Sequence, residues 1–106
     1  MPSEEMPPAL LRALEEAVQG PLAAYRPLRL FLFGSRASGT ADRRSDFDIG
    51  VDAGCPLAAR DMIGLREAFE SAPMLARVDI VDFATVDEIF RDRALREMVL
   101  LYDRAA

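Results

Sequence analysis

The stretch that decides the fold runs from Leu28 to Asp52, LRLFLFGSRASGTADRRSDFDIGVD. Its first part, Leu28 to Phe33, is rich in large apolar side chains, too short for a helix and stopped abruptly at Gly34, which predicts a buried strand. From Gly34 to Ser45 the residues are small or polar, with two glycines, three arginines and nothing large and apolar to anchor them in a core. That composition predicts a tight turn plus loop. Asp46 to Asp52 then alternates, with Phe47, Ile49 and Val51 on one face and Asp46, Asp48, Gly50 and Asp52 on the other. The reading is a half-buried strand with an acidic face. Side by side, the two strands set a small-residue turn against a pair of carboxylates.

Working outward, Leu10, Leu11, Leu14 and Val18 recur at a helical period among Arg12, Glu15, Glu16 and Gln19, and Gly20-Pro21 ends that amphipathic helix. On the other side Gly54 breaks the acidic strand. Pro56 to Ala72 carries Ala58, Met62, Leu65 and Phe69 at helical spacing, and Pro73 closes it. Arg77 to Phe83, RVDIVDF, reads as a third strand with Val78, Ile80 and Asp82 on one face and Asp79, Val81 and Phe83 on the other. Thr85 and Glu88 have capping-box spacing and open a third long helix through Ile89, Phe90 and Leu95. Met98 to Tyr102, MVLLY, fits either its last turns or a short closing strand. No internal repeat or low-complexity tract interrupts the chain, and residues 1–106 read as one domain.

Composition narrows the chemistry. The chain has 106 residues, 51% of them apolar, with 13 basic against 18 acidic residues and a net charge of -5. It contains no histidine, so the common zinc sites and every imidazole acid or base are excluded, and its single cysteine, Cys55, cannot form an intramolecular disulfide. All the basic residues are arginine, which removes lysine Schiff bases and the P-loop lysine. The acidic balance argues against direct nucleic-acid binding and for metal ions or a basic protein partner. Neither a signal peptide nor a long apolar segment is evident, so the expectation is a soluble cytoplasmic protein with no membrane contact. Any enzyme here works with carboxylates.

Period-two geometry puts Asp46 and Asp48 on one face roughly 6–7 Å apart, close enough to serve one metal cluster. Held that close, two carboxylates repel unless a cation sits between them or one is protonated. Hard divalent cations, Mg²⁺ or Mn²⁺, are the natural occupants, because Mg²⁺ sites combine a few carboxylates with substrate phosphates. Gly34 lets the backbone approach a ligand and Ser35 offers a hydroxyl and an N–H, a pair suited to the β and γ phosphates of a nucleoside triphosphate. Arg36, Arg43 and Arg44 are nearby candidates for charge-assisted phosphate contacts. Asp79, from another strand, is a candidate to complete a two-metal site, in which ions roughly 3.5–4 Å apart would activate a hydroxyl and stabilise the leaving pyrophosphate.

LFLFGSRASGTADRRSDFDIGV resembles the signature of the DNA polymerase beta-like nucleotidyltransferase superfamily, and VDIVD resembles its third-carboxylate strand. The GSRAxG run is similar to that of its shortest branch, the minimal nucleotidyltransferases (MNT). The resemblance covers Leu28 to Phe83, and the ending LREMVLLY is similar to the branch's terminal segment. It implies a mixed α/β (α+β) domain, a short mixed sheet with helices on one face, opposite the carboxylates. Asp46, Asp48 and Asp79 would bind two Mg²⁺ ions, with Mn²⁺ as a substitute, and act catalytically, Asp79 also helping to deprotonate the attacking hydroxyl. Gly34, Ser35 and Arg36 would bind the nucleotide. Minimal members are typically paired with an all-helical HEPN protein in toxin–antitoxin modules. The implied activity is therefore antitoxin action by transfer of AMP from ATP to a tyrosine hydroxyl of a HEPN toxin, within a hetero-oligomer. Two alternatives are an antitoxin that neutralises by binding alone, and transfer to a small molecule such as an aminoglycoside, whose enzymes generally carry an additional substrate domain.

Several residues have plainer readings. Asp82 competes with Asp79 for the third-carboxylate role, although the VDIVD match favours Asp79. Asp52 reads as a solvated strand end, Ser45 as a loop backbone partner, Gly39 as turn chemistry and Cys55 as structural and inert. Tyr102 reads as an ordinary core or surface residue, with a partner contact as the alternative.

Overall fold

The computed structural model describes residues 6–39 and 45–106. The first helix, α1 (Pro8–Gln19), begins with prolines, which suit a first turn because its N–H groups have no helical acceptor. Its buried stripe, Leu10, Ala13, Leu14, Ala17 and Val18, follows the helical period seen in the sequence. Strand β1 (Leu28–Phe33) leads into a single helical turn, α2 (Ser35–Ser38), within what the sequence presents as loop. Strand β2 (Phe47–Asp52), helix α3 (Ala59–Glu70) and strand β3 (Val78–Asp82) follow, then α4 (Glu88–Arg96) and a closing strand, β4 (Val99–Arg104). The ambiguous ending is thus a strand, and Val99 to Arg104 finds its ladder partners on β1.

The sheet has the order β3-β2-β1-β4. β1 is antiparallel to both β2 and β4, while β2 and β3 are parallel and therefore need the long crossover that α3 provides. α1 and α3 lie on one face over Leu30, Leu32, Phe47, Ile49, Val51 and Ile80. The mixed-sheet fold expected from the sequence is the one observed, with one amendment. α4 packs on the other face, where Ala94 and Leu95 close over a second cluster of Phe31, Phe33 and Phe83. That face carries carboxylates toward both ends of β2, Asp48 at one and the Arg91-paired Asp52 at the other. Between them it is aromatic, with the rings of Phe31 and Phe83 edge-to-face at 4.7 Å. Gly50 lies beneath them, and a Cβ there would come within 2.5 Å of Phe31 and 2.7 Å of Phe83, so the residue read as part of an acidic face is buried under two rings.

Helix ends also differ from the sequence pattern. α3 starts at Ala59 rather than Pro56, because Leu57 N–H donates to Asp82 at 2.9 Å and Ala58 N–H to the Tyr25 hydroxyl at 3.0 Å, which fixes the preceding residues outside the helix. The expected Thr85/Glu88 capping box does not form. Asp87 caps α4 by accepting from Phe90 N–H at 2.8 Å, and the Thr85 hydroxyl instead donates to Asp82 carbonyl at 3.0 Å. Gly20 caps α1 through its N–H to Glu16 carbonyl, with negative φ rather than a left-handed turn. The end of α1 is further held by Arg104, whose guanidinium donates to the carbonyls of Val18, Leu22, Ala23 and Tyr25 at 3.0–3.2 Å.

Candidate functional site

β1 delivers the chain to Gly34, whose φ of +75° lies where side chains are rarely tolerated. There is a second reason for glycine: a Cβ at this position would overlap the Asp48 carboxylate. The turn's backbone therefore lies directly against the central carboxylate. Gly34 carbonyl then accepts from Ala37 and Ser38 N–H at 3.1 Å each, and Gly39, left-handed at φ +83°, closes the turn through its N–H to Ser35 carbonyl. Gly39 thus has the turn role read from the sequence.

The strand register brings the acidic residues together. Phe33 is paired with Asp48 across the antiparallel ladder, and Asp48 with Asp79 across the parallel one. Adjacent strands stand about 4.8 Å apart, so Asp48 and Asp79 project from one face as near neighbours. Asp46 sits one residue before β2, exposed, on the same side. The electrostatics agree with that placement: burial pushes the Asp48 carboxyl above the usual carboxylate range, and the negative charges of Asp79 and Asp46 push it further in the same direction. Such a carboxylate favours either a proton or a cation. The three donors are all oxygen, a set suited to a hard divalent ion. Among the described residues, no three potential ligands are already gathered around one point, so an ion would have to draw the exposed Asp46 and Asp79 side chains inward.

The competing carboxylates have other work. Asp82 points to the opposite face, is only 9% exposed, and accepts from Leu57 N–H and from Ala84 N–H at 3.0 Å. Asp52 is not the solvated strand end that its position suggests. Its side chain is only 10% exposed and accepts from Arg91 at 2.7 Å and from Gly54 N–H at 3.1 Å, with Arg29 at 3.7 Å. Burial alone would raise its pKa, but the Arg91 and Gly54 hydrogen bonds and the two guanidinium charges outweigh that and hold it below the usual range. The reason is tertiary: α4 and β1 bring arginines to the end of β2.

Arg36 makes contacts that the sequence picture does not include. Its guanidinium donates twice to Ser45 carbonyl, at 2.8 and 3.2 Å, and stacks over the Phe47 ring at 4.0 Å from the centroid. It therefore grips the residues on either side of Asp46. The signal was available only as chemistry, a planar cation in the turn and an aromatic between the two aspartates, because no periodicity links positions 36 and 47. Arg43 and Arg44 lie outside the described residues. Cys55 is exposed, and the Tyr102 hydroxyl accepts from Arg104 at 3.1 Å. No described helix is long and apolar enough to cross a membrane.

Comparison with known proteins bears on both the sheet and its acidic end. The protein named "Probable protein adenylyltransferase MntA" of Haemophilus influenzae is 36% identical over 77 residues, covering 71% of this chain and 66% of that protein. The chain thus spans slightly less than two thirds of that relative's length. A solved structure described as a minimal nucleotidyltransferase is 34% identical, covers 92% of this chain and 98% of its own, and superposes with a TM-score of 0.64. A complex of a tri-AMPylated HEPN toxin with MNT antitoxin from Shewanella oneidensis has a TM-score of 0.64 at 18% identity, covering 98% of this chain and 74% of the other, a likeness of fold. The family model described as polymerase beta, nucleotidyltransferase, matches residues 18–106, which take in every strand of the sheet and all three aspartates. With both the scaffold and the carboxylate end inside that match, the chain belongs to the polymerase beta nucleotidyltransferase family.

Proposed function

We propose that this protein transfers AMP from ATP to a tyrosine hydroxyl of a HEPN toxin and thereby acts as its antitoxin. One observation carries the reading: Asp48 stands in register with Asp79 and in contact with the Gly34 turn, so the carboxylates and the small-residue turn meet at one end of the sheet. The naming of the Haemophilus relative as a protein adenylyltransferase and the AMPylated toxin in the Shewanella complex support the choice of acceptor.

In this mechanism the backbone and hydroxyl of Gly34-Ser35 hold the β and γ phosphates. Asp46, Asp48 and Asp79 are the residues that would hold two Mg²⁺ ions, with Mn²⁺ as a substitute, and bound ions would supply charge neutralisation at the triphosphate and a lowered pKa for the attacking hydroxyl. Asp79, the exposed member of the register pair, accepts the hydroxyl proton. The acceptor oxygen bonds to the α phosphorus as the bond to pyrophosphate breaks, leaving an AMP ester and free pyrophosphate. Arg36 serves the nucleotide indirectly, holding Ser45 and Phe47 so that Asp46 and Asp48 keep their places beside the turn.

The test is the intact mass of the HEPN protein after incubation with this chain, ATP and Mg²⁺. A gain of one or more AMP units that disappears with Asp46→Asn or Asp48→Asn is expected. An unchanged mass despite a stable complex and full neutralisation would refute transfer and leave an antitoxin that works by binding alone.

A further inference from the structure

Next to the Gly34 turn, on the aromatic face of the sheet, lies a cleft of about 290 Å³ between the end of β1 and α4. Phe33 and Gly34 line it from the β1 side, Phe90 and Ala94 from α4, and Arg93 and Glu97 also border it. α4 is anchored rather than loosely laid down. Arg91 donates to Phe83 carbonyl at 2.9 Å and to Asp52 at 2.7 Å, and the Phe90 ring meets Phe33 edge-on at 5.9 Å. Phe90 nevertheless remains 41% exposed, with free ring surface for a ligand. Ala94, one helical turn further on, leaves space beside it.

We infer that this cleft receives the base of the nucleoside triphosphate, with the Phe90 ring as its stacking surface and Arg93 and Glu97 as polar partners for its edge. The inference rests on the reading of Gly34-Ser35 as the triphosphate turn. Three features favour a base as the occupant. Gly34 belongs at once to the turn, the Asp48 contact and the cleft, so a nucleotide whose phosphates lie on the turn has its nucleoside end at the cleft mouth. The lining is mainly apolar and aromatic with a few polar groups, as small planar ligands require. A guanidinium on α4, Arg93, and a carboxylate at its C-cap, Glu97, offer both a donor and an acceptor, matching the mixed edge of a nucleobase better than the single hydroxyl of a phenol.

The test is calorimetric titration of the full chain, in Mg²⁺, with AMP-PNP and separately with inorganic tripolyphosphate. Phe90→Ala should weaken AMP-PNP binding about five- to hundredfold, the range found when an aromatic stacking partner is removed. Tripolyphosphate binding should stay within about twofold, because its binding does not involve the base cleft. Phe90→Leu, which keeps an apolar side chain against Phe33 and Phe83, should show the same selective loss with an unchanged melting temperature, which guards against a simple failure of α4 to pack. If both ligands bind the parent chain and neither Phe90 variant alters AMP-PNP affinity, the cleft assignment is overturned and the triphosphate turn stands. Unaltered AMP-PNP affinity with a raised KM for the tyrosine acceptor would assign the cleft to the acceptor ring instead, also against the proposal. If neither ligand binds the parent chain, the triphosphate reading fails and the base site fails with it.

Discussion

Adding one methyl group at Gly50 should cost this protein more than most surface changes, and the geometry says by how much. An ideal Cβ at that position falls 2.5 Å from two carbons of the Phe31 ring and 2.7 Å from Phe83, whereas carbon atoms in contact prefer about 3.5–4.0 Å. Both rings must therefore move by about 1 Å. They have little room, since Phe31 is 0% and Phe83 1% exposed and α4 closes over them. Overpacking of this kind costs about 1–3 kcal/mol. Loss of the edge-to-face pair adds about 0.5–1.5 kcal/mol, so Gly50→Ala should destabilise by about 1.5–4.5 kcal/mol. Equilibrium urea unfolding followed by circular dichroism measures this directly. The same reasoning predicts that Phe31→Leu, by making space, relieves part of the penalty. The double variant should then be more stable than the sum of the single effects by at least about 1 kcal/mol. A Gly50→Ala protein within about 0.5 kcal/mol of the parent, or strict additivity in the cycle, would refute the claim that the rings exclude a side chain there.

Three further outcomes are expected. Asp48 has a folded-state pKa raised by burial and by its acidic neighbours, so its contribution favours the fold below the ordinary carboxylate pKa and is lost as pH rises through the raised value. Asp48→Asn should consequently melt at a higher temperature than the parent at pH 7 in metal-free buffer while abolishing transfer, and the difference should vanish in acid; an equal or lower melting temperature at pH 7 would contradict the electrostatic picture. Asp52 is the opposite case, its pKa held low, so its stabilisation is present above the ordinary carboxylate pKa and fades as pH falls through the depressed one. Asp52→Asn should cost about 1–3 kcal/mol at pH 7, checked by denaturation across pH. Arg36→Lys keeps the charge but loses the planar grip on Ser45 and Phe47. It should raise the Mg²⁺ concentration needed for half-maximal transfer about five- to thirtyfold, as a loss of about 1–2 kcal/mol would, with retained rate at low Mg²⁺ as the contrary result.

The central strands were legible because their signals are local. Leu28–Phe33 is an apolar run cut by a glycine, and the parity of Phe47, Ile49 and Val51 already separates a core face from an acidic one. The same parity put Asp79 and Asp82 on opposite faces, although only the strand register makes Asp79 the neighbour of Asp48. What the sequence concealed depends on contacts between distant segments. Gly50 looks like an outward position until Phe31 of β1 and Phe83, just past β3, are laid across it. Thr85 and Asp87 are both competent caps, and the choice turns on Thr85 being engaged with Asp82. Asp52 looks solvent-facing until α4 delivers Arg91 to it. Arg36 reads as a phosphate ligand, and its second engagement, with Ser45 and Phe47, exists only once the chain returns to it.

The Arg104 anchor has a consequence for the order in which the protein can be made. β1 is an interior strand whose other edge is covered by β4, the last of the described strands, and the carbonyls closing α1 are held from a residue 79 to 86 positions later. During synthesis the segment before β4 therefore emerges with a strand edge open and a helix end unsecured, and it stays so until Arg104 has left the ribosome. A transcript interrupted shortly before Arg104 would encode Asp46, Asp48 and Asp79 and yet lack the clasp between β4 and the end of α1.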